Sequence, residues 1–541
     1  MKLSVKNTFA VLIQKKHIQG CIILGLIIAA ALILRVHKLD SYTLWHDEAT
    51  SVLDSRGLGQ LHSLSRLFDR DFTANHQDYL TLYDHGFIYY WQALFGRSEF
   101  ALRFSSVLFA ILSVYFVYFL ARKFLNIGIA YLTSFLLAIS PFHIYYAQEL
   151  RPYAATCLLA LISAYLLLKI LEDNRGRYWQ AYALVNVLNI YFLYTNLILL
   201  FSSFVFIVWK ARKDRGLLKA AIFTHLVILF LLAPLMLTLY QNLKLVLPSN
   251  FIYAHIYSYP WVEKADFRNL LYTFKNLTVG YNTDYYALTG KFATLACFCF
   301  FIAGIYKYRK NNLAQLAVFL TLIPVLLLFF LSRIKACYVY RYLFPVLPFY
   351  LLGIGAGLGN FKRRFLLVLL ISVLFLLGLK NYYLNSLPQD YRQHIGVSKK
   401  QDLKGVFKII LGNYQKGDKI FHTSKSTVFP FKFYADRIPV SHDLRMEIDR
   451  GRVISLSGQN KNLLICENRW RHPVMFLPEK LYTFEDSGIK KRLWLFFSSF
   501  GERQDGCEED IALGKIRERY RQKIFIPSEG ADLYLFIKTD G

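Results

Sequence analysis

Charged residues are scarce in this 541-residue chain, and acidic residues are the scarcest. Only 18% of the residues are charged, with 36 Asp and Glu against 64 Lys and Arg, while 55% are hydrophobic. A soluble protein of this length would carry more charge on its surface, so that class is excluded. The 17% aromatic content suits a chain with much lipid-facing and interfacial surface. The composition therefore predicts an integral membrane protein with several spans.

Cysteine is also rare, and no nucleic-acid motif accompanies the excess of positive charge. The seven cysteines follow no metal-binding spacing. Cys466 and Cys507, in the polar C-terminal part, could pair if that part lies in an oxidising compartment. The net charge of +28 falls largely in short loops between apolar runs, where Lys and Arg fix orientation. We expect membrane lipids as partners, and no nucleic acid.

Apolar runs near the length needed to cross a bilayer recur between residues 21 and 379. The first run, 21–34, follows a lysine-rich segment and is interpreted as an uncleaved anchor with a cytoplasmic N-terminus. The others lie at 100–121, 127–147, 153–171, 178–209, 217–240, 288–306, 314–332, 342–359 and 365–379.

The run 178–209 is too long for one upright helix and short for two. Basic loops flank it on both sides, at 169–177 and 210–215. If both loops are cytoplasmic, the run must cross twice, with a tight turn at the YTN sequence of 194–196. That count gives eleven spans and an extracytoplasmic C-terminus, and we expect the plasma (inner) membrane.

The sequence predicts two domains. Residues 1–379 form an α-helical polytopic membrane domain, with outer loops at 37–97 and 241–287. Past Leu379 the hydrophobicity drops; 417–423, 461–467 and 492–497 are typical of short buried strands, and 402–414 has helical spacing of apolar residues. Residues 380–541 are therefore predicted to be a small α/β domain outside the cytoplasm.

Ionisable residues collect at the span ends assigned to the outer face. Asp47 and Glu48 follow the first span, Glu149 and Arg151 precede the fourth, and Arg341 precedes the tenth. A transporter usually places such groups near the bilayer midplane. A carboxylate can accept a proton from an attacking hydroxyl, and guanidinium binds phosphate. The pattern indicates group transfer from a phosphate leaving group at the outer interface.

Each feature also has a structural explanation. Asp47 and Glu48 could simply begin an interfacial helix, Arg341 could reach lipid headgroups, and Arg151 before Pro152 resembles a helix start. The histidines of the first outer loop match no compact ligand motif. We expect no required cofactor, and a divalent metal has no support beyond those histidines sharing a loop with acids.

Four motifs in order carry a family resemblance. They are WHDEA (45–49), GRSEFALRFSS (96–106), SPFHIYYAQELRPYA (140–154) and VYRYLFPVLP (339–348). They resemble the GT-C superfamily of polytopic membrane glycosyltransferases, over roughly residues 20–380. The branch they resemble contains protein O-mannosyltransferases, the lipid A aminoarabinose transferase and the rhizobial core-oligosaccharide transferases.

The resemblance implies an enzyme that takes a sugar from a polyprenyl-phosphate donor on the non-cytoplasmic side, usually with inversion. The acceptor would be a lipid, glycan or protein hydroxyl. Asp47 would be the base, and Glu48 would assist it or orient the acceptor. Arg341 with Tyr342 would contact the donor phosphate.

The resemblance also implies that Arg151 lines the cleft with Gln148 and Glu149. His85, in YDHGFIYYW (83–91), fits a family histidine position, although both prolines of the family's His-Pro-Pro motif are absent. The acids of the first outer loop and the later cations are predicted to converge on one hollow. A flippase for a lipid-linked glycan, or a scaffold whose outer domain binds a partner, remains an alternative.

Overall fold

The fold is seen in a computed structural model. It describes residues 2–55, 82–237, 264–281, 287–361, 364–386, 400, 402–423, 425–457, 462–468, 478–483, 489, 492–498, 507–527 and 531–538. The chain divides into two compact units. One, called the helical unit, takes in 1–39, 103–233 and 262–395; the other, called the sheet unit, takes in 40–102, 234–261 and 396–541.

The secondary-structure elements are numbered here along the chain. The α-helices are α1 (Lys2–Val36), α2 (His46–Ser55), α3 (Ile88–Phe95), α4 (Glu99–Phe124), α5 (Ile127–Ile139), α6 (Pro141–Ala147), α7 (Tyr153–Glu172), α8 (Gly176–Phe192), α9 (Leu197–Ala211), α10 (Arg215–Leu231), α11 (Phe267–Val279), α12 (Leu288–Lys307), α13 (Asn312–Ile334), α14 (Leu347–Leu358), α15 (Arg364–Tyr383), α16 (Leu403–Asn413), α17 (Lys425–Ala435), α18 (His442–Arg450) and α19 (Cys507–Arg517). A π-helical turn (Tyr83–Phe87) and two 3₁₀ helices (Tyr194–Asn196 and Tyr340–Val346) supplement them. The strands are β1 (Lys419–His422), β2 (Arg452–Ser457), β3 (Asn462–Asn468), β4 (Pro478–Thr483), β5 (Arg492–Ser498), β6 (Tyr520–Ile526) and β7 (Ala531–Lys538).

The helical unit confirms a polytopic α-helical membrane fold. Among the described residues, eight helical segments are long and apolar enough to cross a bilayer, or nine if the bent pair α5–α6 counts as one span. The difference from the eleven predicted spans lies in α8 and α10. Each has 17 residues, a length of about 26 Å, which is at the lower end of the range for a membrane-spanning helix.

The predicted turn in the run 178–209 is present. Helix α8 ends at Phe192 and α9 begins at Leu197, with the short 3₁₀ helix between them. The ring of His225 lies 5.7 Å from that of Tyr182 on α8 and 4.8 Å from that of Phe204 on α9. Tyr182 and Phe204, on successive helices, therefore both lie beside His225. The chain folds back on itself as a hairpin.

Helices α12 and α14 meet through glycines. A Cβ atom on Gly304 would overlap the backbone of α14, and a Cβ atom on Gly357 would overlap the backbone at Phe300. Close backbone approach through small residues is how membrane helices gain packing energy, since burial in lipid offers no hydrophobic driving force. This contact holds α14, and the 3₁₀ helix that precedes it, in the centre of the helical unit.

The sheet unit contains a mixed seven-stranded sheet, as the α/β prediction requires. The order is β4-β3-β2-β1-β5-β7-β6, with β1 parallel to β2 and β5 and the other pairs antiparallel. Strands β1, β3 and β5 and helix α16 coincide with the four segments predicted from the sequence. Residues 40–102 also belong to this unit.

His422 fixes α17 on the sheet. Its ring stacks on Phe496 of β5 at a centroid distance of 4.8 Å, and its Nδ1 lies 2.9 Å from Oγ1 of Thr427 on α17. Complete burial lowers the pKa of His422 to about 3, because the cation would lose its hydration. The ring is therefore neutral at physiological pH, and it acts as a packing and hydrogen-bonding group.

Candidate functional site

The two adjacent acids that follow the first span begin a helix. Asp47 and Glu48 lie in the first turn of α2, so the structural explanation of a helix start is correct for their position. Glu48 is fully buried and its Oε2 accepts the amide of Trp45 at 3.1 Å, which is half of a capping box. Asp47 is partly exposed. The structure thus separates the roles of the two carboxylates: Glu48 holds the helix start, and Asp47 reaches the surface.

The bend between α5 and α6 is held by a buried arginine that sequence reasoning missed. The two helices differ in direction by 58°, and Pro141 opens the second. The guanidinium of Arg35, fully buried on α1, donates to the carbonyl oxygens of Ala138 and Leu137 at 2.8 and 3.0 Å. It also donates to Nδ1 of His143 at 2.6 Å, because guanidinium has no acceptor. These bonds satisfy carbonyls at the end of α5.

Gln148, predicted to line the cleft, holds helix ends together. Its Nε2 donates to the carbonyl oxygens of Arg35 and His37 at 2.8 and 2.7 Å, and its Oε1 accepts the hydroxyl of Tyr382 at 2.6 Å. The side chain is buried. Both amide protons and the amide oxygen are engaged within the helical unit, so Gln148 fixes the turn that carries Glu149 and Arg151.

Glu149 and Arg341 lie near one buried hydroxyl. The hydroxyls of Tyr281 and Tyr146 are 2.6 Å apart. Burial raises the pKa of Tyr281, the carboxylate of Glu149 acts in the same direction, and the guanidinium of Arg341 opposes them. The Glu149 side chain is buried, whereas those of Arg151 and Arg341 are partly exposed. The structure therefore brings predicted residues from two separate motifs to one part of the helical unit.

The 3₁₀ helix that carries Arg341 and Tyr342 is anchored by its other residues. The hydroxyl of Tyr340 accepts Nδ2 of Asn269 at 3.0 Å, and the ring of Phe344 stacks on His143 at 5.4 Å. Both anchors are buried, whereas Arg341 and Tyr342 are partly exposed. This arrangement presents the guanidinium of Arg341 on a fixed backbone.

Lys275 is a further buried cation that the sequence did not reveal. It lies on α11, and its Nζ donates to Oδ1 of Asn276 at 3.2 Å and to the carbonyl oxygen of Tyr281 at 3.4 Å. The sequence predicts only an outer loop for residues 241–287, with a tyrosine-rich composition. Nothing in that composition indicates that the loop contains a helix with its lysine turned inward.

Some predicted features fall outside what the structure describes. The backbone of His85 lies in the π-helical turn, but its side chain is not described, and the same holds for the side chains of Cys466 and Cys507. Over the described residues, no group of three or more His, Cys, Asp or Glu side chains is placed to hold a metal ion. Asp47 and Glu48 belong to the sheet unit, and the other predicted site residues with described side chains to the helical unit; their convergence stays a prediction.

Part of the chain matches a known protein family. Residues 87–240 match the model of the dolichyl-phosphate-mannose-protein mannosyltransferase family. A search of curated proteins finds no match.

Solved structures match over nearly the whole chain. Two are structures of ArnT from Cupriavidus metallidurans. The apo structure is 13% identical, with 94% of this chain and 97% of that chain covered and a TM-score of 0.55. The structure bound to undecaprenyl phosphate is 12% identical, with 96% and 98% covered and a TM-score of 0.56. At this identity the likeness shows the fold. This shared fold and the match of residues 87–240 to the family model both fit the resemblance to the GT-C superfamily drawn from the motifs.

Proposed function

We propose that this integral membrane protein transfers a sugar from a polyprenyl-phosphate donor to a hydroxyl of a lipid, glycan or protein acceptor, with inversion. The reaction would take place on the non-cytoplasmic face of the plasma (inner) membrane. The N-terminus would be cytoplasmic and residues 380–541 extracytoplasmic. Two similarities support this donor class. The matching family is described as dolichyl-phosphate-mannose-protein mannosyltransferases, and one similar structure holds undecaprenyl phosphate.

In the proposed reaction the acceptor oxygen attacks the anomeric carbon of the sugar. The proton of the hydroxyl passes to the carboxylate of Asp47, the bond between the anomeric carbon and the phosphate oxygen breaks, and its electron pair leaves with the polyprenyl phosphate. The observation that carries this assignment is the separation of the adjacent acids. Glu48 is buried and caps α2, whereas Asp47 is partly exposed. A general base must reach the proton it removes.

Arg341 is the proposed partner of the leaving phosphate, with Tyr342 beside it. A guanidinium stays charged at any physiological pH and can bind two phosphate oxygens at once. The 3₁₀ helix that carries Arg341 is anchored by buried residues. A guanidinium held in place in this way would stabilise the negative charge that develops on the phosphate as its bond to the sugar breaks. Arg151 and Glu149, on the neighbouring turn, would complete the cleft, with Gln148 holding that turn and His85 contacting substrate. The proposed chemistry needs no metal or other cofactor.

The test is a proteoliposome assay with labelled polyprenyl-phosphate sugars and an acceptor extract. We expect one polyprenyl phosphate to be released for each sugar transferred, and release to be at least about 100-fold slower with vesicles that contain Asp47→Asn. If the labelled lipid instead moves between leaflets without being consumed, the protein is a flippase and the proposal is wrong.

A further inference from the structure

A buried carboxylate within the sheet unit gathers side chains from the C-terminal part of the chain. Glu99, the first residue of α4, has a side chain only 8% exposed. Its Oε1 lies 3.0 Å from Nζ of Lys404 and accepts the hydroxyl of Tyr434 at 2.8 Å. Its Oε2 lies 3.3 Å from a guanidinium nitrogen of Arg437. An acid at a helix N-terminus is already favoured by the helix dipole, so these partners exceed what the helix start requires.

The hydroxyl of Tyr434 connects this carboxylate to the segment that carries the proposed base. While it donates to Glu99, its oxygen accepts the backbone amide of Leu44 at 3.1 Å. Leu44 is fully buried and lies three residues before Asp47. Because the carboxylate takes the hydroxyl proton, a lone pair of the Tyr434 oxygen is left pointing at the Leu44 amide. One side chain thereby fixes the backbone that enters α2.

Further contacts hold the same segment, residues 40–46, against α16 and α17. The amide of Leu403 donates to Oγ1 of Thr43 at 3.4 Å, and Nζ of Lys404 donates to the carbonyl oxygen of Asp40 at 3.2 Å. The ring of His46 packs edge-on against Phe429 at 4.8 Å. Helix α17 is in turn fixed to the sheet through His422. Residues 40–46 are thus held by contacts with α16 and α17 along their length.

A buried ion cluster of this kind is poor evidence for stability. Desolvation of Glu99 offsets much of its attraction to the two cations, which are themselves partly exposed. Positioning of the segment before α2 explains the cluster around Glu99 better than stability does. A general base acts only within hydrogen-bond reach of its proton, and a displacement of about 1 Å can cost on the order of 100-fold in rate.

We propose that Tyr434 and its partner Glu99 are positioning residues for the base. They hold the segment before α2 so that the carboxylate of Asp47 lies within hydrogen-bond reach of the acceptor hydroxyl. The proposal rests on the proposed transfer reaction and gives α16 and α17 a role in it. Neither residue touches substrate. Their effect acts through Asp47.

The test compares Tyr434→Phe with Tyr414→Phe, a matched loss of a tyrosine hydroxyl in the same unit. With the full-length protein, we expect Tyr434→Phe to lower kcat by about 10- to 100-fold, with the donor KM within about twofold of wild type. In the Asp47→Asn background it should cause no further loss. Glu99→Gln, whose amide oxygen can still accept the hydroxyl, should lose less activity than Glu99→Ala. An equal loss from Tyr434→Phe in both backgrounds would overturn the proposal.

Hydrogen exchange supplies a measurement that does not depend on activity. Peptides covering residues 40–48 should exchange at least about tenfold faster in Tyr434→Phe and at the wild-type rate in Tyr414→Phe. Unchanged exchange would overturn the proposal even if kcat fell. Faster exchange in a protein whose wild type transfers no sugar would contradict the proposed function while supporting the role of Tyr434 in holding the segment.

Discussion

Asp47→Asn is expected to lower the rate of sugar transfer by about 100- to 10,000-fold, the usual contribution of a general base. Asparagine has nearly the same shape as aspartate, but it cannot take the proton from an attacking hydroxyl. Folding should be preserved, because Glu48 caps α2 and Asp47 is partly exposed. Losing a charge at the helix N-terminus costs only about 0.3–1 kcal/mol.

The matched control is Asp40→Asn, which removes an exposed carboxylate seven residues earlier in the chain. It should transfer sugar at the wild-type rate. Rates are measured with purified protein and donor in detergent or vesicles, and folding is checked by the melting temperature. Full activity of Asp47→Asn would remove Asp47 from the mechanism.

Arg341→Met should lower kcat by about 100- to 1,000-fold, comparable to the loss of one oxyanion-hole donor. The departing phosphate gains charge as the bond to the sugar breaks, and the guanidinium is expected to oppose that charge more strongly in the transition state than in the bound donor. Arg341→Lys should retain more of the rate than Arg341→Met, because lysine keeps the positive charge but cannot make the bidentate hydrogen bonds of a guanidinium.

The control for Arg341 is Lys335→Met, which removes an exposed cation six residues earlier. Steady-state kcat and donor KM are measured for all three variants. A wild-type kcat in Arg341→Met would contradict the assignment. A change confined to KM would mean that Arg341 binds the donor and the transition state equally well.

The parts of the fold that depend on local sequence could be predicted. Lipid-facing helices can be recognised by the length of their apolar runs. The basic loops around 178–209 predicted the hairpin, because the positions of Lys and Arg set the orientation of membrane helices. Buried strands such as β5 appear as continuous apolar runs. Hydropathy does not show where a helix begins and ends, so the 17-residue lengths of α8 and α10 appear only in the structure.

The contacts that organise the candidate site could not be predicted, since they join residues far apart in the chain. Arg35 and His143 are separated by 108 positions, and Glu99 and Tyr434 by 335. Hydropathy and spacing carry no information on such pairs. Gln148 was predicted to line the cleft, whereas its use in holding helix ends depends on the carbonyl oxygens of Arg35 and His37, which only the fold brings near.

The stereochemistry of transfer tests the central claim most directly. A hydroxyl that is deprotonated by Asp47 and displaces polyprenyl phosphate in one step must invert the anomeric carbon, whereas a covalent sugar–enzyme intermediate would give retention. The configuration of the new linkage, determined by NMR and compared with that of the donor, is predicted to be the opposite one. A product with the donor's configuration would contradict the account, because Asp47 could not then be acting as the base of a single displacement.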